Sequence, residues 1–314
     1  MHVLVNIALL LAGFVLLVKG ADFFVDGAAS LARKLKIPSL VVGLTIVAIG
    51  TGAPELAVSI SAAVKGANSL AVSNVLGSNI FNLLVVLGVC ALIKPVEVTK
   101  AILTRDYPVS IASMAVFFVL LMTGGAMGRA ESFILLALLA GYLLWTVIPA
   151  LKSKDSGEER VPFVWWKCAL CIVGGAAAIV FGGNLVVDNA SELGMALGMS
   201  ESLVGLTICA VGTSLPELVT SISAARKGET DMAMGNVIGS NIMNVLLILG
   251  LSGAISPISI SADALTNTLI DCGVYMGVCL LAYVFCLTSK RITRAEGGIL
   301  LACYISYMVY AVLR

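Results

Sequence analysis

Long apolar stretches recur along the whole chain, and no other feature of the sequence limits its fold as strongly. Many are about 20 residues long, which is the length of helix that crosses a hydrocarbon core of about 30 Å. Because lipid offers no hydrogen-bond partners, the backbone amides of each stretch must pair within it, and this requires helices. The sequence predicts ten spans, at about residues 3–27, 38–65, 71–93, 104–123, 131–150, 164–189, 200–226, 232–255, 265–287 and 296–313.

The amino-acid composition agrees with a chain that uses lipid as its solvent. Only 12% of the residues are charged and the mean hydropathy is +1.07, whereas a soluble domain has about 25% charged residues. The net charge of +1 argues against a nucleic-acid partner. The sequence has no nucleotide-binding loop, and its single histidine is His2. We therefore expect no cofactor, no nucleotide partner and no enzyme active site.

Lys and Arg divide unevenly between the two sides of the predicted membrane. With ten spans, 15 of them fall on one side and three on the other, while Lys19 lies inside the first span. Cytoplasmic loops are the ones enriched in basic residues. The first stretch has no small-residue cleavage site and is predicted to be retained. Both termini are therefore predicted to lie outside the cytoplasm.

Two segments of the chain repeat each other at an offset of 162 residues. Residues 43–66 and 205–228 are identical at 17 of 24 positions without a gap, and 74–88 resembles 236–250 nearly as well. The matches include Pro, Glu, Thr, Ser and Asn, which a lipid environment does not select, so chance similarity between two apolar helices does not explain them. A repeated unit of five spans is odd in number, and its second copy enters the membrane inverted, as in many transporters.

The repeat divides the chain into two predicted halves. The first half is 1–151 and the second is 163–314, and they are joined by a polar cytoplasmic linker at 152–162. The expected fold class is all-α and integral to the membrane, with ten helices arranged as two inverted repeats of five.

A proline and a glutamate interrupt the second and the seventh span, in GTGAPEL and GTSLPEL. Pro54 cannot donate a backbone hydrogen bond and its ring crowds the preceding turn, so both helices are predicted to break at GTxxPE. A break frees carbonyl oxygens, and hard cations bind carbonyl and carboxylate oxygens. Glu55 and Glu217 would balance one divalent ion or two monovalent ions. The alternative is a protonated or hydrogen-bonded glutamate that supports packing.

Serine and asparagine recur in the third and eighth spans, in GSNIFN and GSNIMN. Ser78 and Asn82 are four residues apart and share one helix face, as do Ser240 and Asn244. Such residues often form hydrogen bonds between membrane helices. Their symmetric placement beside the glutamate pair favours a role as cation ligands.

These motifs resemble the two alpha repeats of the calcium/cation antiporter superfamily, and most closely those of prokaryotic sodium/calcium exchangers. The resemblance covers nearly the whole chain. It implies a prokaryotic inner-membrane antiporter with Na⁺ and Ca²⁺ as transported substrates, in which spans 1 and 6 slide past the other eight. The ion site that it implies consists of Ala48, Thr51, Glu55, Ser78, Asn82, Ala210, Thr213, Ser214, Glu217, Ser240 and Asn244.

Other functions stay open at this point. The resemblance also allows Ca²⁺/H⁺ exchange or K⁺-assisted exchange. A cation channel is less favoured, because two mid-membrane glutamates in one chain do not make a continuous pore. The chain departs from many members of the superfamily in having Gly52 where Ser is common and Asn244 where some members have Asp.

Overall fold

The computed structural model describes residues 2–122, 126–152, 163–199, 208, 210–260 and 262–313. Within these residues the chain is almost entirely helical. We number its helices in chain order as α1 His2–Leu35, α2 Ser39–Thr51, α3 Ala53–Val64, α4 Ser69–Ile93, α5 Ile102–Met122, α6 Arg129–Lys152, α7 Trp165–Ala196, α8 Ala210–Thr213, α9 Leu215–Arg226, α10 Thr230–Ile255, α11 Ala262–Ser289 and α12 Arg294–Leu313.

Eight helices of the described part are long and apolar enough to cross a membrane, and α2 with α3 would make a ninth span. The prediction of an all-helical membrane protein is therefore confirmed. The predicted span at 200–226 lies partly outside the described residues, and so does the predicted linker at 152–162.

Two short antiparallel ribbons also occur within the described residues, and the sequence did not predict them. Strand β1, Val96–Glu97, pairs with β4, Arg291–Ile292. Strand β2, Ala126–Met127, pairs with β3, Ile258–Ser259. Each strand is only two residues long and belongs to a connection between helices. Each ribbon joins the first half of the chain to the second.

Helices α4 and α10 form the centre of the molecule. Their most apolar windows are 72% and 78% buried inside the protein, against 11–39% for the other single-helix spans of the described part. This burial explains their composition, because Asn and Ser that face protein can find hydrogen-bond partners there, whereas lipid would leave them unpaired. Both central helices carry the predicted Ser and Asn ligands.

The central helices also contain turns that are wider than an α-helical turn. One π-helical turn begins at Asn82 and spans Asn82–Val86, and another begins at Asn244 and spans Asn244–Leu249. At the first of them the N–H of Leu87 bonds to the carbonyl of Asn82, five residues back. Single π turns inside α-helices occur often at functional sites.

Helix α1 packs antiparallel along α7 at very short range. A Cβ atom added at Gly20 would lie 2.8 Å from the Cβ of Ala178, and one at Gly175 would lie 2.7 Å from the backbone nitrogen of Phe24. Glycines at seven-residue spacing, Gly13, Gly20 and Gly27, line this face of α1. Small residues let the two backbones approach closely, as at many membrane helix interfaces.

Candidate functional site

The first glutamate lies at a bend between two helices. Helix α2 ends at Thr51 and α3 begins at Ala53, and their axes differ by 51°. Gly52 lies between them with φ −76° and ψ 6°. Pro54 occupies the first turn of α3, where no backbone donor is needed. Glu55 follows in the same turn, where the helix dipole favours a negative charge.

The second glutamate has the same local setting. Ser214 separates α8 from α9 with φ −93° and ψ 5°, and Pro216 and Glu217 occupy the first turn of α9. Both glutamates are almost completely buried, at 1% exposure each. A charged side chain buried in a membrane protein is costly unless it is compensated.

Hydroxyl groups from both halves of the chain bind the Glu55 carboxylate. Ser214 Oγ donates to Glu55 Oε1 at 3.1 Å, and Ser78 Oγ donates to the same oxygen at 3.4 Å. Gly52 stands at the position equivalent to Ser214 and has no hydroxyl. A Cβ atom built on Gly52 would lie 3.8 Å from Oε1 of Glu217. The departure at Gly52 therefore removes a hydroxyl from the Glu217 side of the site.

Several polar atoms of the predicted site residues are buried and have no hydrogen-bond partner in the described part of the chain. They include Oε2 of Glu55, Oε2 of Glu217, Oδ1 of Asn82 and Oγ1 of Thr213. Among the described residues, no Lys or Arg forms an ion pair with either glutamate. Buried polar atoms are rarely left unpaired, and a group of them needs an explanation such as a bound ion.

Five more of the predicted residues are buried. Ser78, Asn82, Ser240 and Asn244 are each at most 2% exposed. The hydroxyl of Thr51 lies 3.1 Å from both the carbonyl of Val47 and Oδ1 of Asn236.

Two alanines are predicted to contribute backbone oxygens. Ala48 is buried, and its carbonyl accepts the N–H of Gly52 at 3.0 Å, which leaves it one lone pair. Ala210 is the first residue of α8.

Sequence reasoning missed two asparagines that hold the glutamates in place. Asn74 Nδ2 donates to the Glu55 carbonyl at 3.3 Å and to Ser59 Oγ at 3.0 Å. Asn236 does the same for the second motif, donating to the Glu217 carbonyl at 3.4 Å and to the Ser221 hydroxyl at 2.9 Å. These residues also match at the offset of 162, and that match was the signal that could have identified them.

Asn79 and Asn241 were missed in the same way. They lie on α4 and α10, are both fully buried, and bond to each other and to Asn82 and Asn244. The predicted residues Asn82 and Asn244 are thus hydrogen-bonded to two asparagines that the predicted set did not contain.

The chemistry of the site is that of neutral oxygens around two carboxylates. In the described part of the chain, no group of three or more His, Cys, Asp or Glu residues is placed to hold a metal ion. Soft metals that need thiolate or imidazole ligands do not fit such a set. Hard cations do, because Ca²⁺ takes six to eight oxygens from carboxylates, carbonyls and amides.

Comparison with known proteins agrees with this fold. The family model described as sodium/calcium exchanger protein matches residues 5–148 and 167–313. The putative antiporter CaxA from Alkalimonas amylolytica is 39% identical over 97% of this chain and 98% of its own length. The sodium/calcium exchanger MaX1 from Methanosarcina acetivorans is 35% identical, again over 97% of this chain and 98% of its own length. The inner membrane protein YrbG from Escherichia coli is 36% identical over 94% and 92%.

A solved structure extends the comparison to three dimensions. The sodium-calcium exchanger NCX_Mj, soaked with Na⁺ and Ca²⁺, matches with a TM-score of 0.85 at 30% identity, over 99% of each chain. The fold of this chain and its similarity to named exchangers together identify it as a membrane transporter of the exchanger class. The chain belongs to the sodium/calcium exchanger family, and its activity is the antiport of cations including Ca²⁺.

Proposed function

We propose that this chain is a secondary antiporter that moves Na⁺ in one direction and Ca²⁺ in the other by alternating access. One observation carries the proposal more than any other. Two buried glutamates, Glu55 and Glu217, each have a carboxylate oxygen without a partner in the described part of the chain, and hydroxyl groups from both halves bind the Glu55 carboxylate. Their two charges match one Ca²⁺ or two Na⁺.

The proposed ion site consists of the residues that the sequence pointed to. Glu55 and Glu217 supply the charge, and the neutral oxygens come from Ala48, Thr51, Ser78, Asn82, Ala210, Thr213, Ser214, Ser240 and Asn244. The unpaired oxygens of Asn82 and Thr213 support their inclusion.

The proposed architecture has ten spans in two inverted halves, 1–151 and 163–314, with breaks at both GTxxPE motifs. Support comes from contacts that occur twice at an offset of 162 residues. The bonds of Asn74 and Asn236 to the two glutamate motifs are one example. The basic-residue bias supports an orientation with both termini outside the cytoplasm, and the similarity to an inner membrane protein supports a prokaryotic inner membrane.

The choice of Na⁺ as the coupling ion rests on the names of similar proteins. MaX1 is called a sodium/calcium exchanger, and NCX_Mj is called a sodium-calcium exchanger. A chicken sodium/potassium/calcium exchanger 2 is 29% identical, but this chain covers only 28% of its length. We therefore place Na⁺ ahead of K⁺-assisted or H⁺-coupled exchange.

Flux through reconstituted protein tests the proposal. Proteoliposomes loaded with Na⁺ and diluted into Na⁺-free medium should take up ⁴⁵Ca²⁺, and empty liposomes should not. Parallel vesicles loaded with K⁺, or with an acidic interior and no Na⁺, should show no uptake above the empty control. Uptake driven by the proton gradient alone would replace Na⁺ by H⁺ as the coupling ion. Absence of Ca²⁺ uptake under all three gradients would refute the proposal.

A further inference from the structure

Four asparagines form a closed hydrogen-bond set between the two central helices. Asn79 Nδ2 donates to the backbone carbonyl of Asn241, and Asn241 Nδ2 donates to the backbone carbonyl of Asn79, both at 3.3 Å. Asn82 Nδ2 donates to Oδ1 of Asn241 at 3.1 Å, and Asn244 Nδ2 donates to Oδ1 of Asn79 at 2.9 Å. All four side chains are at most 2% exposed.

The backbone carbonyls fix the direction of every bond in this set. A carbonyl can only accept, so the amide atom of Asn79 that faces the Asn241 carbonyl must be its NH₂ group. The other amide atom of Asn79 is then an oxygen, and it must receive a hydrogen from Asn244. The same reasoning runs from Asn241 to Asn82. Neither Asn82 nor Asn244 can turn its amide around without placing its own oxygen against the oxygen of its partner.

This fixed direction decides what Asn82 and Asn244 present to the ion site. Their NH₂ groups are held by the opposite half, so their carbonyl oxygens point away from that bond. For Asn82 this oxygen is one of the buried atoms without a partner. A cation needs the oxygen and is repelled by the NH₂ group, so an amide that could rotate freely would bind it less well.

We propose that Asn79 and Asn241, which we call the asparagine clamp, are positioning residues that hold the ligand oxygens of Asn244 and Asn82 toward the transported cation. The inference rests on the proposed function and adds two residues to it. Each of the two orienting hydrogen bonds joins one half of the chain to the other. Asn79 on α4 orients Asn244 on α10, and Asn241 on α10 orients Asn82 on α4.

Because Asn79 is proposed to act on Asn244 and not on Asn82, the proposal can be distinguished from a general role of Asn79 in packing. Asn79→Ala removes the acceptor for Asn244 and the donor to the Asn241 carbonyl. It keeps the Asn79 backbone carbonyl, so the bond from Asn241 Nδ2 to that carbonyl and the bond from Asn82 Nδ2 to Asn241 Oδ1 stay intact. Asn79→Ala should weaken Ca²⁺ binding by about three- to tenfold, the range expected for one lost hydrogen bond. In an Asn244→Ala background the same change should have almost no further effect. In an Asn82→Ala background its effect should be undiminished.

The measurement is isothermal titration of Ca²⁺ into purified protein in Na⁺-free buffer, with ion-free thermal stability recorded for each variant. Asn189→Ala is the matched control, because Asn189 is another buried asparagine that donates to a backbone carbonyl, that of Leu185 at 2.7 Å. It should leave the Ca²⁺ affinity unchanged. If Asn79→Ala does not purify as folded protein, Asn79→Leu keeps the side-chain volume and enters the same cycle.

Each result decides the proposal. Equal effects of Asn79→Ala in both backgrounds, or an unchanged Ca²⁺ affinity in the single variant, would overturn the clamp while leaving the antiporter intact. Loss of folded protein in both Asn79 variants would assign the residue to folding and would also overturn the clamp. Failure of the wild-type chain to bind Ca²⁺ refutes the proposed function instead. The same set of variants is also titrated with Na⁺, where the same pattern is expected because the clamp orients the same oxygens for either cation.

Discussion

Replacing Glu55 by glutamine separates the charge of the site from its shape. Glutamine keeps a carbonyl oxygen that can accept from the Ser214 and Ser78 hydroxyls, so the contacts that hold the side chain survive. The negative charge is lost. Glu55 is only 1% exposed, and no Lys or Arg of the described part forms an ion pair with it. Removing its charge should therefore leave no basic side chain buried without a partner.

The size of the effect follows from Coulomb's law. At an effective dielectric constant of about 20, a carboxylate oxygen about 2.5 Å from Ca²⁺ contributes on the order of 10 kcal/mol before desolvation is subtracted. If about a quarter of that survives, binding weakens by about 3 kcal/mol, which is about 100-fold. We expect Glu55→Gln and Glu217→Gln each to abolish Na⁺-driven ⁴⁵Ca²⁺ uptake and to do so to a similar extent.

The assay compares these variants with Glu192→Gln. Glu192 is an exposed glutamate on α7 that accepts a hydrogen bond from Asn6, and it lies outside the proposed ion site. Its variant should transport at the wild-type rate, and all three should purify as folded protein. Near wild-type Ca²⁺ transport by either Glu55→Gln or Glu217→Gln would show that the glutamate is structural and would refute a shared carboxylate site.

Three further predictions concern orientation, charge number and helix packing. In a background without native cysteines, single cysteines at Ser153 and Arg314 should label from the cytoplasmic and the external face respectively, and labelling from one face would contradict ten spans. Asn244→Asp adds a third carboxylate and should change the Hill coefficient for Na⁺ in Ca²⁺ flux, whereas an unchanged Na⁺ profile would remove position 244 from the ion site. Gly175→Ala should force α1 away from α7 and lower the thermal stability or the transport rate, because its Cβ would lie 2.7 Å from the Phe24 nitrogen. The neighbouring Gly174 has nothing within 4 Å, so Gly174→Ala is the control and should be harmless.

The sequence predicted those features that lipid makes costly. Apolar stretches of sufficient length could only be helices, and the structure confirms an all-helical membrane protein. Glu55 and Glu217 stood out because a carboxylate is expensive inside a membrane, and the structure shows both buried in equivalent turns. Their role as ion ligands stays a prediction.

The features that the sequence did not predict depend on the relation between helices. A spacing of four residues puts Ser78 and Asn82 on one helix face, but it does not predict the π turn that begins at Asn82. Asn79 and Asn241 are ordinary polar residues in a helical pattern until α4 and α10 are placed side by side. The two β ribbons likewise depend on segments far apart in sequence, whose pairing no local propensity specifies.

The reciprocal bonds of Asn79 and Asn241 have a consequence for the evolution of the two halves. The two residues occupy equivalent positions of the repeat, and each donates its Nδ2 to the backbone carbonyl of the other, as a residue and its counterpart do across the two-fold axis of an isologous homodimer. A half-length ancestor inserted in both orientations would meet its own copy through the same pair of bonds. If the proposed clamp operates, fusion of the two copies would not release either half, since each would still depend on the other for the orientation of one asparagine. Drift in one half is therefore constrained by the sequence of the other.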